Sequence, residues 1–231
     1  MRILELRNVS YRYGGKPALS NVSFDIEPGR FVGLLGPNGS GKTTLIKILS
    51  GLLPTPGGSV AIAGMRPGLD TKRIVSYLPD RRHMPDWLRV QDAVALFADF
   101  YPDFDTARAA GLINTLGLPP RAAIRTLSKG MVEKLQLTLA VSRRAKLYVF
   151  DEPIAGVDPA ARDLIISTIL NNYDPGASVL MSTHLIGDVE PIFDDVIFLK
   201  EGQVHTFDSA DNLRETHGKS VDQLFREVFA C

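Results

Sequence analysis

Three observations in the sequence predict an α/β fold with a mixed, mainly parallel central sheet. A short apolar run, Phe31 to Leu35, leads straight into a glycine-rich turn and a helical pattern in GLLGPNGSGKTTL, residues 33–45. After residue 145, strand-like and helix-like segments alternate in LYVF, AARDLIISTILNN, ASVLMS, LIGDVEPIF and DVIFL. Alternation of that kind is the mark of parallel strands joined by covering helices. Between the two regions, from about Val90 to Val141, the apolar spacing turns helical in VQDAVALFADF, TARAAGLINTLGL and MVEKLQLTLAV.

Each element then has its own reason. Residues 2–13 and 18–26 alternate as strands around the turn Gly14-Gly15-Lys16-Pro17, which predicts an N-terminal antiparallel β subdomain. Thr43 to Leu49 reads as the helix after the glycine turn, and Ser59 to Ala63 and Ile74 to Leu78 as further strands. Pro102, Pro119 and Pro120 punctuate the helical region, a subdomain over about 81–145 inserted between the glycine turn and the strand bearing Asp151-Glu152. Four apolar residues, Leu147 to Phe150, predict a buried central strand, and VDQLFREVFA a helical tail. Residues 1–231 read as one domain with subdomains.

The bulk numbers narrow the function classes. With 231 residues, 45% hydrophobic and 23% charged, the chain suits a soluble globular domain. Zero formal net charge gives no sign of a nucleic-acid partner. The single cysteine, Cys231, cannot form a disulfide within the chain, which fits a reducing cytosol. The N-terminal residues lack the apolar core of a signal peptide. One uncharged stretch, Ile48 to Met65, is broken by two prolines and four glycines and so is not a spanning helix. At a membrane, a partner would have to supply the span.

The glycine turn carries the first chemistry. Gly36-Pro37-Asn38-Gly39-Ser40-Gly41-Lys42-Thr43 fits the phosphate-loop pattern G-x-x-x-x-G-K-[ST], with a strand before it and a helix after. Glycines let successive N–H groups face one anion, and the helix adds its positive end. Lys42 is expected on the β- and γ-phosphates and the Thr43 hydroxyl on Mg²⁺; Thr44 follows in the same turn. Asp151 and Glu152 end the apolar strand, Asp151 to hold Mg²⁺ through water and Glu152 to deprotonate the attacking water. No guanine-recognition motif of the N-K-x-D type is present. A third element, Leu127-Ser128-Lys129-Gly130-Met131, opens a helix that Ser128 can cap, leaving N–H groups free for a second anion.

With these motifs in this order the chain resembles an ATP-binding-cassette (ABC) ATPase over essentially its whole length. LSKGM keeps Leu127, Ser128 and Gly130 of the LSGGQ signature and departs from it at Lys129 and Met131. The resemblance implies a P-loop NTPase that binds ATP and Mg²⁺ between two cassettes packed head to tail. Ser128, Lys129 and Gly130 of one would reach the γ-phosphate held by the other. It further implies that Tyr13 stacks on adenine, with Tyr11 as the alternative on the same strand face. Asp158 matches the D-loop acid, although it also suits an N-cap for the helix after it. His184 matches the switch histidine near the γ-phosphate. Asp80 stands where the family has glutamine, either as a metal-site ligand or turned away with water in its place. The other histidines, His83, His205 and His217, read as surface residues. Arg81, Arg82 and His83 form a solvated basic loop or a partner contact, and Trp87 lies either in a membrane-partner groove or in the core. The implied activity is transport-coupled ATP hydrolysis with a separate transmembrane subunit, on the cytoplasmic face of the membrane. The style of LSKGM and YLPD points to export. The second cassette is an identical or a different chain. The rival is a soluble ABC ATPase acting on ribosomes or DNA.

Overall fold

The computed structural model describes residues 2–55 and 57–229, so Cys231 and Ala230, the last residue of the predicted tail, lie outside the described residues. Two strands, β1 (Leu4–Tyr13) and β2 (Lys16–Ile26), form the expected hairpin. The turn is shorter than the sequence suggests. Gly14 and Gly15 both take positive φ, 50° and 89°, and two such residues close a hairpin whose twist matches its strands. Lys16 and Pro17 therefore already belong to β2, at the edge of its sheet.

The short strand β3 (Phe31–Leu35) runs into α1 (Lys42–Leu49). Next come β4 (Gly57–Ile62), which pairs with β1, the single turn α2 (Leu69–Lys72) and β5 (Val75–Leu78). The helical region holds α3 (Val90–Phe100), α4 (Thr106–Thr115) and α5 (Lys129–Val141). After it come β6 (Leu147–Asp151), α6 (Pro159–Asn172), β7 (Ser178–Thr183), β8 (Asp195–Lys200), β9 (Gln203–Ser209), α7 (Ala210–His217) and α8 (Val221–Phe229).

Among the described residues the main sheet runs β5-β6-β7-β3-β8-β9, parallel throughout except for the antiparallel β8–β9 pair. A second, antiparallel sheet runs β2-β1-β4. Strand alternation divides the core. Val32 and Leu34 of β3 and Leu147 and Val149 of β6 face α1 and the antiparallel sheet. Phe31, Leu35, Tyr148 and Phe150 face the other layer, with Ile165 and Ile169 of α6 and Leu224 of α8. The helical region has a core of its own, built from Val90, Ile113, Val132, Leu135 and their neighbours.

One segment departs from the sequence pattern. LIGDVEPIF, expected as a helix, is a run of turns with one 3₁₀ turn at Glu190–Ile192. Pro191 has no N–H to give to the residue 187 carbonyl, so an α-helical turn cannot form there. Two elements give no clear sequence signal: β9 begins after a Glu201-Gly202 turn with positive φ at both residues, and α7 follows under a Ser209 cap. No helix among the described residues is long and apolar enough to cross a membrane.

Candidate active site

The phosphate loop sits at the end of the central strand β3. Gly41, at φ 109°, is the N-cap residue just before α1, and no side chain caps that end. A Cβ at Gly41 would stand 2.6 Å from the Ala18 carbonyl, so this conformation requires glycine twice over. Pro37, Asn38 and Gly39 are exposed, Gly36 and Ser40 buried. The Ser40 hydroxyl is buried without a hydrogen-bond partner. Lys42 is buried; its Nζ donates to the Gly36 carbonyl at 2.7 Å and the Pro37 carbonyl at 3.2 Å, curling along the inside of the loop. Thr44 is buried beneath the loop in α1.

Two strands deliver the acids and their supports to the same place. The Asp151 Oδ1 accepts from the Ser182 hydroxyl at 2.7 Å and from the Thr43 hydroxyl at 3.3 Å, while its Oδ2 is buried and unpartnered. Burial pushes the Asp151 carboxyl up from its ordinary pKa. The Ser182 bond opposes the shift, and the nearby negative charge of Asp80 adds to it. Glu152 adopts a left-handed backbone, φ 51°, uncommon for a residue with a side chain. Bonds from its N–H to the Ser182 carbonyl at 3.1 Å and the Ser182 hydroxyl at 3.0 Å hold that conformation. The Glu152 carboxylate lies 3.1 Å from Lys42 Nζ and 2.9 Å from His184 Nδ1. A carboxylate only accepts, so His184 carries a proton on Nδ1.

Lys42, Thr43, Asp151, Glu152 and His184 thus converge. Ser182 belongs with them, and the sequence gives no sign of it: it is one serine in an apolar strand, and only the parallel β6–β7 register puts it opposite Asp151.

The remaining predicted residues lie outside this cluster. Ser128 caps α5 through its bond from the Met131 N–H at 3.3 Å, and Ser128, Lys129 and Gly130 are all exposed. Lys129 pairs with Glu133 at 3.7 Å and shares with Glu152 the lining of a cavity of about 200 Å³. Tyr13 is 47% exposed and meets Tyr11 edge to face at 4.9 Å, which makes Tyr13 the more available ring for stacking. Asp158 caps α6 by accepting from the Ala161 N–H at 3.1 Å, and its residue is exposed. Asp80 is exposed beside Arg81 at 3.7 Å. It lines both the 200 Å³ cavity and a larger groove of about 570 Å³. Trp87 is 72% exposed, so the core expectation fails, and it does not line the 570 Å³ groove. The turn closed by the Leu88 N–H on the Pro85 carbonyl sends Leu88 inward in its stead. Each of His83, His205 and His217 is exposed.

The chain as a whole is similar to known proteins. Residues 19–155 match the model of the ABC transporter family. The ABC-type transporter ATP-binding protein EcsA of Bacillus subtilis (strain 168) is 31% identical over 239 residues, covering 99% of this chain and 97% of that protein. A solved ATP-binding subunit of an ABC transporter superposes with a TM-score of 0.88 at 29% identity, covering 98% of this chain and 99% of that one. A cassette solved as a dimer in a post-hydrolysis state, bound to ADP and Pi, gives 0.78 at 24% identity over 89% and 98% of the two chains. Likeness along nearly the whole chain stands beside this phosphate loop with its strand-end acids: the chain belongs to the ABC transporter family and is one of its ATP-binding, ATP-hydrolysing cassettes.

Proposed function

We propose that this chain is the ATPase subunit of a membrane transporter, driving a separate transmembrane subunit from a head-to-tail dimer of cassettes. One observation carries the reading. The hydrolytic groups are gathered in one chain, buried or half-buried, while Ser128, Lys129 and Gly130 stand exposed at a capped helix start, bonded among the described residues within their own helix. Free N–H groups at a helix start suit a phosphate, and a second cassette can bring one there. The dimeric ADP-bound relative supports that geometry by likeness of fold.

Within one site the roles follow from position. Lys42 leaves the Gly36 and Pro37 carbonyls and the Glu152 carboxylate to hold the β- and γ-phosphates. Glu152 takes a proton from the attacking water, held in line by its strained backbone and by His184. Tyr13 offers its exposed ring to adenine, and Asp158 stands at the end of the loop that follows Glu152. The residues fit Mg²⁺: Asp151 Oδ2 is buried and orphaned beside the Thr43 hydroxyl. A hard cation of this kind takes one or two carboxylates plus phosphate oxygens. When bound, Mg²⁺ would neutralise charge on the phosphates; Asp80, which lines the 200 Å³ cavity together with Glu152, would be a further oxygen donor toward it.

The 570 Å³ groove supports the membrane partner. It is lined by Leu49, Leu52, Leu96, Phe97 and Phe100, with Lys47, Lys72, Arg81 and Arg82 also at its walls. An apolar groove with basic walls suits an amphipathic segment of another protein. The transmembrane subunit supplies that segment, and the cassette sits on the cytoplasmic face, working in export. Co-expression with a candidate membrane subunit tests this: the cassette should sediment with membranes, and substrate should move into inside-out vesicles on adding ATP. A cassette that stays in the soluble fraction and instead sediments with ribosomes would favour the rival reading.

A further inference from the structure

We propose that Gln136 is a positioning residue that ties the Asp80 loop to the helix begun by Ser128, so that the two nucleotide-contacting elements of one chain move together. Gln136 lies on α5, eight residues after Ser128, about 12 Å along the helix. It is a polar side chain only 5% exposed in a helix whose neighbouring residues are core leucines. Its Nε2 donates to the Arg81 carbonyl at 3.2 Å and meets His83 Nδ1 at 3.0 Å. A carbonyl can only accept, which fixes the amide with Nε2 toward the loop. His83 Nδ1 must then accept too, so the imidazole is neutral with its proton on Nε2. One amide therefore holds two successive points of the loop that leaves Asp80.

A second bond makes the connection stiff. Ser76 of β5, four residues before Asp80, donates its hydroxyl to the Ala140 carbonyl near the other end of α5 at 2.7 Å. The strand leading to Asp80 and the loop leaving it are both fastened to α5. Asp80 also faces the 200 Å³ cavity that Gln136, Lys129 and Glu152 line. A shift of Ser128 along or about the helix axis would therefore carry Asp80 with it, relative to Asp151 and Glu152 on β6. The functional weight of this tether rests on the two-site reading above; its existence does not.

The test uses the full chain and two readouts. Gln136→Leu keeps the bulk and removes both bonds. Backbone hydrogen exchange at residues 80–83 should rise in that variant, while kcat for ATP falls by about tenfold and KM stays within about twofold, since a misplaced group costs rate more than binding. His83→Leu should show a smaller fall of about threefold, and His83→Asn, whose Oδ1 replaces the Nδ1 acceptor, should hold kcat within about twofold of the parent. Unchanged exchange at 80–83 in Gln136→Leu would overturn the tether, as would a His83→Asn variant no better than His83→Leu. Raised exchange with an unchanged kcat would overturn the positioning role. Failure of the two-site reading looks different: ATP-dependent dimers would be absent while the exchange difference persisted.

Discussion

On the proposed reading the phosphate-loop cluster and the Ser128 helix start each hold a phosphate, yet they are finished to different degrees. In the first, each charged group already has a partner within the chain, Lys42 with Glu152, Glu152 with His184, and Asp151 with Ser182 and Thr43, and only single oxygens such as the Asp151 Oδ2 are left open among the described residues. In the second, the hydroxyl of Ser128 serves its own helix and the three signature residues face outward. Burial explains the contrast. Charges removed from water must be paired, whereas exposed N–H groups are satisfied by solvent until something displaces it. This contrast between a pre-built half and an open half is what the proposed two-copy site rests on.

Five substitutions can break or sharpen this comparison. The largest effect is expected at the pre-built half. Glu152→Gln should retain ATP, accumulate dimers and lose at least about 10²-fold in hydrolysis; near-normal turnover would remove Glu152 from the base role. Next come paired glycine changes, one in each half. Gly41→Ala should cost about 1–3 kcal/mol in chemical unfolding, because φ 109° and the Ala18 carbonyl oppose a side chain. Gly130→Ala should cost nothing measurable, since a Cβ there meets open space. Equal losses at the two positions would erase the distinction between the halves.

At the open half, Ser128→Asp keeps a good helix cap, so the unfolding midpoint should hold. A carboxylate facing a partner's phosphate should nonetheless abolish ATP-driven dimers in size-exclusion chromatography and lower hydrolysis by at least about tenfold. Dimers that persist would show that no phosphate reaches Ser128. The smallest effect on turnover is expected where the halves meet: Asp80→Gln should leave ATP binding intact and change turnover by less than about tenfold. Complete loss of activity in that variant would make Asp80 indispensable to the metal site.

Much of this was legible in the chain itself. Phe31 to Leu35 and the loop after it need no tertiary information, because glycine spacing and an apolar strand suffice to shape an anion cradle. The acids at the end of β6 were equally plain, since four apolar residues leave them nowhere but the strand's end. The helical character of 90–141 followed from apolar period alone. The failures were local as well: LIGDVEPIF has helical apolar spacing but a proline inside it, and a missing N–H overrode the pattern. Polar alternation in QVHTFDS hid β9, which pairs only at the sheet edge.

What the sequence determined by itself, then, was which groups are candidates for the chemistry, because residue type and close spacing define a phosphate loop or a strand-end acid. The tertiary structure alone decided the supports. Ser182 reaches Asp151 from 31 positions away, through strand register. Gln136 reaches the Arg81 carbonyl from 55 positions away, through the docking of α5 against the Asp80 loop. Contacts between residues so far apart in the chain depend on how elements pack, and packing is set by the whole hydrophobic core and not by any short stretch of letters.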